Sequence, residues 1–360
     1  MSRPVYIADT ALLCARGQSP SAVAAALWRG DSAAGEFALD ERRFPYYPLP
    51  LPNGNWLARA EAATHQLREQ LGNLPGSTPL FVASSSFQIG HFEQLGAPFD
   101  LPSATASFTN HLADWLQLDG PRHSFSNACI SGFSAIDAAS SLIACGLLDV
   151  ALVVGVELAN ASTVAGFAAM ELLSRTACRP CAADRDGLVL GEALAAVRLS
   201  ACPGPWRIAA VRTGLDGYST TGLDPAGGPI AGVMADTIAA AGLRPTEIEL
   251  LKLQAAGSPG TDLAEARALR LVFGDAPPPA LSLKPAFGHT LGASGIAELA
   301  ALLACLEAGQ IPLTANTGQP DPDIGPLFPT ERRHAPLRRA LLNLIGFGGG
   351  LASLIVERTT

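Results

Sequence analysis

Residues 149–156 read Asp-Val-Ala-Leu-Val-Val-Gly-Val, apolar without a break after the first position. Such a run predicts a strand covered on both faces, with no wet side. Just before it, residues 130–147 carry apolar side chains at Ile130, Phe133, Ile136, Ile143 and Leu147, with small residues between. That spacing predicts a buried helix. Residues 123–128 read as another strand. Strand, helix and covered strand follow one another, and Cys129 stands where the first strand meets the helix.

The unit has a weak echo. Ser131-Gly132 and Ser294-Gly295 lie 163 positions apart, from 131 to 294. At the same offset Ile136 meets Leu299, Ile143 meets Leu306, Gly146 meets Gly309 and Leu148 meets Ile311. A duplicated fold leaves this kind of trace. It predicts one half over residues 1–200 and a second over 201–360, with the Pro- and Gly-containing stretch 199–205 as the crossing point. Elsewhere, residues 5–8 and 80–83 read as short strands. Ser19 and Pro20 predict the capped start of a helix running through Val23 to Trp28. The Pro- and Tyr-rich stretch 40–56 is expected to be irregular loop.

Composition excludes several classes. The formal charge of -8 lacks the basic footprint of a nucleic-acid binder. Only 16% of residues are charged and 48% are hydrophobic, enough for a sizeable core. No run reaches the ~18 uncharged apolar residues of a membrane helix. Met-Ser-Arg-Pro leads into a strand-like segment rather than a signal peptide. The seven cysteines are scattered and mostly sit in apolar runs, the usage of a reducing compartment. A cytoplasmic location is expected.

Cys129 is the first candidate for chemistry. A thiol at the first turn of a buried helix meets free N–H groups and the helix dipole, which are expected to favour the nucleophilic thiolate. Three further segments follow in order. Arg179-Pro180 precedes the run from Asp184 to Ala193, Asp-Arg-Asp-Gly-Leu-Val-Leu-Gly-Glu-Ala. Lys284 is followed five positions later by His289 and then Thr-Leu-Gly-Ala-Ser-Gly. Gly346-Phe347-Gly348-Gly349-Gly350 lies near the C terminus.

With Asn-Ala-Cys-Ile-Ser-Gly at 127–132, these segments resemble the β-ketoacyl-acyl-carrier-protein synthases, the condensing enzymes of fatty-acid and polyketide synthesis. Trp28-Arg29-Gly30-Asp31-Ser32 is similar as well, so the resemblance covers most of the chain. It implies a thiolase-like α/β fold, duplicated, with five αβαβα layers. It also implies that a carrier protein hands an acyl group to Cys129. Malonyl-carrier then loses CO2 and its enolate attacks the thioester. By resemblance, the backbone N–H groups of Cys129 and Phe347 serve the thioester oxyanion and His289 donates to the enolate oxygen. Lys284 orients that region, and Phe167 and Phe347, with Gly348 in the same turn, gate the site. Glu265 and Asp186 are expected to be structural nearby. No cofactor and no metal is implied.

One departure is specific. Family members of this type carry two histidines, the first in a His-Gly-Thr-x-Thr turn. Here Leu250-Leu251-Lys252-Leu253-Gln254-Ala255-Ala256-Gly257 leads up to it, which puts Ala256 at the histidine. The next turn, Ser258-Pro259-Gly260-Thr261, is two residues short, and Gly350-Leu351 replaces the usual threonine-asparagine continuation. Loss of one preorganised oxyanion donor lowers a rate by about 10²–10³-fold. Acylation of Cys129 depends on other groups. The expectation is therefore a condensation-impaired subunit, similar to a chain-length factor of the aryl polyene type, paired with a complete ketosynthase and served by an acyl carrier protein. A self-sufficient synthase relying on His289 is a second reading. An acyltransferase or thioesterase on the same fold is a third.

Plainer readings apply elsewhere. Cys178 and Cys181 have metal-ligand spacing, but no second pair follows. His65, His91, His111, His123 and His334 fall in no motif and are expected to be surface or structural. Asp184 and Asp186, with Arg185 between them, are expected to be structural. Arg122, Arg175 and Arg179 are candidate contacts for an acidic carrier.

Overall fold

The computed structural model describes residues 3–52, 54–219 and 222–359. Its ten-stranded sheet comprises β1 (Val5–Cys14), β2 (Leu80–Ala83), β3 (Arg122–Phe125), β4 (Val150–Glu157), β5 (Ala193–Ser200), β6 (Trp206–Leu215), β7 (Leu250–Lys252), β8 (Ala280–Leu281), β9 (Arg339–Ile345) and β10 (Gly350–Arg358). The spatial order is β8-β7-β9-β10-β6-β1-β5-β4-β2-β3. From each edge inward, the first five chain-ordered strands and the last five run in the same sequence. β2 lies parallel between β3 and β4, as β7 lies parallel between β8 and β9. β5 is antiparallel to β4 and β1, as β10 is to β9 and β6. The two sets meet where Val5, Tyr6 and Ile7 of β1 pair with Ile208, Arg207 and Trp206 of β6.

Among the described residues, the helices of the outer and central layers include α1 (Trp56–Gln70), α2 (Leu101–Trp115), α3 (Ser131–Ala144), α4 (Gly228–Ala240), α5 (Pro259–Phe273) and α6 (Ser294–Glu307). The central pair, α3 and α6, have the same length, and their starts and ends differ by the offset read from the sequence. Alternation along β4 explains the layering. Ala151 and Val153 face the core around α3 and α6, while Leu152 and Val154 face α1 and α2. In the other half, Leu251, Leu341 and Ile355 pack with Ile230 and Met234 of α4 and Ala268 and Leu269 of α5. The layers are thus α, β, α, β, α, and the covered strand is buried on both faces.

The repeated Ser-Gly pair has a structural reason. Each serine opens a central helix. Each glycine lets the other helix come close: a Cβ on Gly295 would lie 2.7 Å from Phe133, and one on Gly132 would lie 3.2 Å from Ile296. The preceding turns also match, since Ala128 and Leu291, at the same offset, hold φ of 45° and 46°. Positive φ in residues other than glycine is uncommon and marks a turn that its surroundings impose.

Three sequence expectations need correction: the helix expected over 130–147 ends at Ala144, which leaves Leu147 exposed rather than on a buried face, and the other two concern strands. The stretch 40–56 is not all loop: Arg42–Tyr47 is a strand, paired with Gly35–Leu39 and with Leu190–Gly191. These partners supply a ladder that the local sequence, with Pro45 in it, does not signal. Position 53 of that stretch lies outside the described residues, as do Met1 and Ser2. The expected strand 123–128 ends at Phe125, and residues 126–130 form the tight turn into α3. The helix from Pro20 to Arg29 forms with Ser19 accepting from the Ala22 N–H, and Leu80–Ala83 forms as read. No described helix is long and apolar enough to cross a membrane.

Candidate active site

Cys129 sits in the turn just ahead of α3, whose first residues are tied back by Ser131. The Ser131 hydroxyl donates to the Ala128 carbonyl at 2.6 Å and accepts from the Asn127 N–H at 2.8 Å. Cys129 Sγ lies 3.1 Å from His289 Nε2. His289 comes from the matching turn ahead of α6. There Ser294 Oγ stands 2.9 Å from His289 Nδ1, and Thr290 Oγ1 stands 3.3 Å from Ser294 Oγ. The backbone of His289 is clamped between Val189 and Gly191: its N–H donates to the Val189 carbonyl at 2.7 Å and its carbonyl accepts from Gly191 at 3.1 Å. The stretch around Asp186 to Ala193 therefore serves to position the histidine.

The β9–β10 hairpin brings the third element. Its tip, Gly346 to Gly349, uses φ of 82° and 81° at Gly348 and Gly349. A side chain at Gly349 would overlap the Asp216 carbonyl. The tip brings the Phe347 N–H near enough to the cysteine sulfur to favour its charged form. Cys129, His289, Ala256, Phe167, Phe347 and Gly348 all line one cavity of ≈ 90 Å³.

The charge pattern corrects the expected thiolate. Burial pushes the Cys129 thiol up to about 11. The Phe347 N–H and the Lys284 charge pull the other way, but neither offsets the lost hydration. His289 is pushed well below its ordinary value, first by burial and then by the Lys284 and Lys252 charges. The resting site thus holds a neutral thiol beside a neutral imidazole. That pair can pass the sulfur proton to Nε2 when an electrophile arrives, with Ser294 holding Nδ1.

Lys284 does not touch the sulfur. Its ammonium pairs with Glu298 of α6, and so does Lys252 of β7, all three side chains being fully buried. Lys252 also donates to the Asn343 carbonyl at 3.0 Å. Sequence reading missed Lys252, because its partner stands 46 positions away. It also missed Ser294 as the histidine's support.

Ala256 is buried and belongs to the apolar cluster that contains Cys129. Its turn is nevertheless fully tied. Glu265 accepts from the N–H groups of Gln254 and Ala255 at 2.9 and 2.8 Å. Asp262 accepts from Ala256 and Gly257, both at 3.1 Å, and from Cys181 at 2.8 Å. α5 begins at Pro259, directly after the turn, which is how the shortened segment is absorbed. Burial, aided by the Glu265 charge, raises the Asp262 carboxyl to about 7.

Asp186 takes no place in the cavity. It accepts from Ser174 Oγ at 2.6 Å and from the Arg175 N–H at 3.3 Å. Cys178 Sγ donates to the Ala256 carbonyl at 3.2 Å, and among the described residues no cluster of three or more His, Cys, Asp or Glu converges as a metal site. A second cavity of ≈ 690 Å³ is lined by Arg42, Arg43, Arg175 and Asp186.

Comparison with known proteins fits this geometry. Residues 55–201 match the model of the beta-ketoacyl synthase N-terminal domain, and residues 207–318 match that of the C-terminal domain. A 3-oxoacyl-[acyl-carrier-protein] synthase 2 of Coxiella burnetii is 30% identical over 281 residues, covering 73% of this chain and 68% of that protein. The chain belongs to the β-ketoacyl synthase family. This ketoacyl-synthase chain is also 29% identical to the mitochondrial 3-oxoacyl-[acyl-carrier-protein] synthase of Arabidopsis thaliana, over 94% of the chain and 78% of that protein. Several other relatives are matched over 57–63% of their own length. Among solved structures, a ketosynthase in complex with its chain length factor from Xenorhabdus doucetiae superposes with a TM-score of 0.87 at 23% identity, over 99% of this chain and 98% of the other. That likeness establishes the thiolase-like ketosynthase fold.

Proposed function

We propose that this ketoacyl-synthase chain accepts an acyl group on Cys129 but condenses poorly by itself, and acts beside a complete ketosynthase in building a polyketide- or fatty-acid-type chain, of which the aryl polyene kind is our preferred class. The observation that carries the reading is the contrast inside one cavity. Cys129, His289 and the Phe347 N–H are assembled for acyl transfer, while Ala256 offers a methyl group where the family places a second imidazole.

In acylation, the carrier's thioester carbon is attacked by Cys129 Sγ as its proton moves to His289 Nε2. The oxyanion falls to the Cys129 and Phe347 N–H groups, and the carrier thiol leaves with a proton. Phe167 and the 40% exposed Phe347 flank the cavity and fit a gating role. Condensation further requires donors to a malonyl thioester oxygen as CO2 departs, and there the site is short of one histidine.

Pairing is supported by β3. It is an edge strand with Arg122, His123 and Ser124 exposed, and an open edge of this kind invites a second sheet. A carrier landing is supported by Arg175, which stands with Arg42 and Arg43. Leu172 lines the Cys129 cavity and its neighbour Leu173 lines the arginine cavity, so the two adjoin. Arg122 and Arg179 are less available, being paired with Asp114 and Asp184.

The test is intact-mass spectrometry of the chain with an acyl-loaded and then a malonyl-loaded carrier protein. The reading expects acyl-Cys129, absent in Cys129→Ala, with little extension. Efficient extension by the chain alone favours a self-sufficient synthase, and no acylation at all leaves a purely structural subunit.

A further inference from the structure

Gln254 is the unexplained group at this site. Its side chain is 3% exposed and lines the Cys129 cavity. Its Nε2 lies 3.5 Å from His289 Nε2, and its Oε1 has no hydrogen-bond partner. A buried amide end without a partner is costly to keep. The residue is rigidly placed, because Glu265 holds its backbone N–H at 2.9 Å. It follows two positions after Lys252, whose ammonium pairs with Glu298. A carboxamide whose two ends have nearly equal shape can sit either way round. With Nε2 beside His289 Nε2, as here, the N–H bonds of the two nitrogens can converge on one acceptor in the cavity. A malonyl thioester brings only acceptors: a carbonyl oxygen and a carboxylate.

We infer that Gln254 is a catalytic residue of this chain, its carboxamide N–H joining His289 Nε2–H as the second donor to the malonyl thioester oxygen and so supplying part of what the absent imidazole at position 256 would. The inference rests on the reading above that Cys129 and His289 handle carrier thioesters. In the step concerned, the bond between the carboxylate carbon and C2 of the malonyl group breaks. CO2 leaves without the bonding pair, which spreads from C2 onto the thioester oxygen. Gln254 and His289 hold that oxygen by two hydrogen bonds, and the net positive charge of the Lys252–Glu298–Lys284 cluster favours it. The enolate then attacks acyl-Cys129, expelling the sulfur. With no acyl group in place, it takes up a proton and becomes acetyl-carrier.

Malonyl-loaded carrier protein is the probe, and acetyl-carrier formation by mass spectrometry is the readout. Acylation of Cys129 from octanoyl-loaded carrier is followed in parallel, and it tests the underlying reading separately. The native chain is expected to form acetyl-carrier slowly. Gln254→Met keeps the shape and removes the donor. It should lower kcat for decarboxylation about 10- to 100-fold and leave KM within about twofold, a loss well beyond any change in Cys129 acylation. In the Ala256→His background, where the imidazole supplies the donor, Gln254→Met should cost much less than it does in the native chain, whereas a merely structural glutamine would give the same loss in both. Should Gln254→Met not fold, Gln254→Glu keeps the shape, carries no N–H and should show the same loss. Native decarboxylation by either variant overturns the inference. So does a native chain that acylates Cys129 yet forms no acetyl-carrier. Absence of acylation overturns the reading beneath it.

Discussion

The protonation state of Cys129 gives the sharpest quantitative expectation. Its thiol is raised to about 11 by burial against an ordinary value of 9.0. At pH 8 the thiolate fraction is then about 10⁻³, compared with about 10⁻¹ for an ordinary thiol, a difference of about 100-fold in reactive species. Alkylation with iodoacetamide, followed by peptide mapping, reads each cysteine separately. Cys145 and Cys202 are exposed and serve as internal references. Burial also slows access, so the pH profile matters more than the absolute rate. Labelling of Cys129 should climb about tenfold per pH unit from 8 to 10 with no plateau, since the fall in protonation lies near 11. A plateau reached by pH 8 would refute the argument. It would mean that the Phe347 N–H and the Lys284 charge outweigh desolvation and that the site rests as a thiolate.

Other expectations follow from the buried charges. Glu298→Gln leaves Lys252 and Lys284 buried without a carboxylate and should destabilise the fold by about 3–5 kcal/mol in urea unfolding. The Asp262 carboxyl is raised to about 7 from 3.8, so the folded state binds its proton more tightly than the unfolded chain does. Its stabilising share is complete below about pH 4 and is lost as pH rises to about 7, at most roughly 4 kcal/mol. Asp262→Asn should flatten that part of the stability profile.

Much of the fold was legible because burial on both faces leaves a plain mark. The apolar run of β4 and the spacing from Ile130 to Ile143 required layers on either side, and both elements form. The repeat was legible for a physical reason too, since Ser131 and Ser294 hold equivalent turns and Gly132 and Gly295 permit the close crossing of α3 and α6. Cys129, His289 and Ala256 could be found because they sit in local motifs. Distance in the chain hid the rest. Arg42–Tyr47 becomes a strand only through partners elsewhere, among them Leu190–Gly191. Lys252 reads as an oddity in an apolar strand until Glu298 is beside it. Gln254 reads as one polar residue among several until its amide, with Oε1 unpartnered, is seen in the cavity beside His289. The thiolate expectation failed because helix-end attraction can be read from a motif, whereas the depth of burial opposing it cannot.

The central claim is that this chain keeps the acyl-transfer half of its chemistry and is short of one donor for condensation. The direct measurement preloads Cys129 with an octanoyl group, adds malonyl-loaded carrier protein, and follows extension in a single turnover for the native chain and for Ala256→His. The turn at 254–257 is held by Asp262 and Glu265 through backbone groups alone, so the new imidazole inherits a fixed position. The account predicts that acyl-Cys129 persists in the native chain and is extended at least about tenfold faster in Ala256→His, within the 10²–10³-fold worth of one oxyanion donor. Equal rates, with both proteins fully acylated, would contradict it.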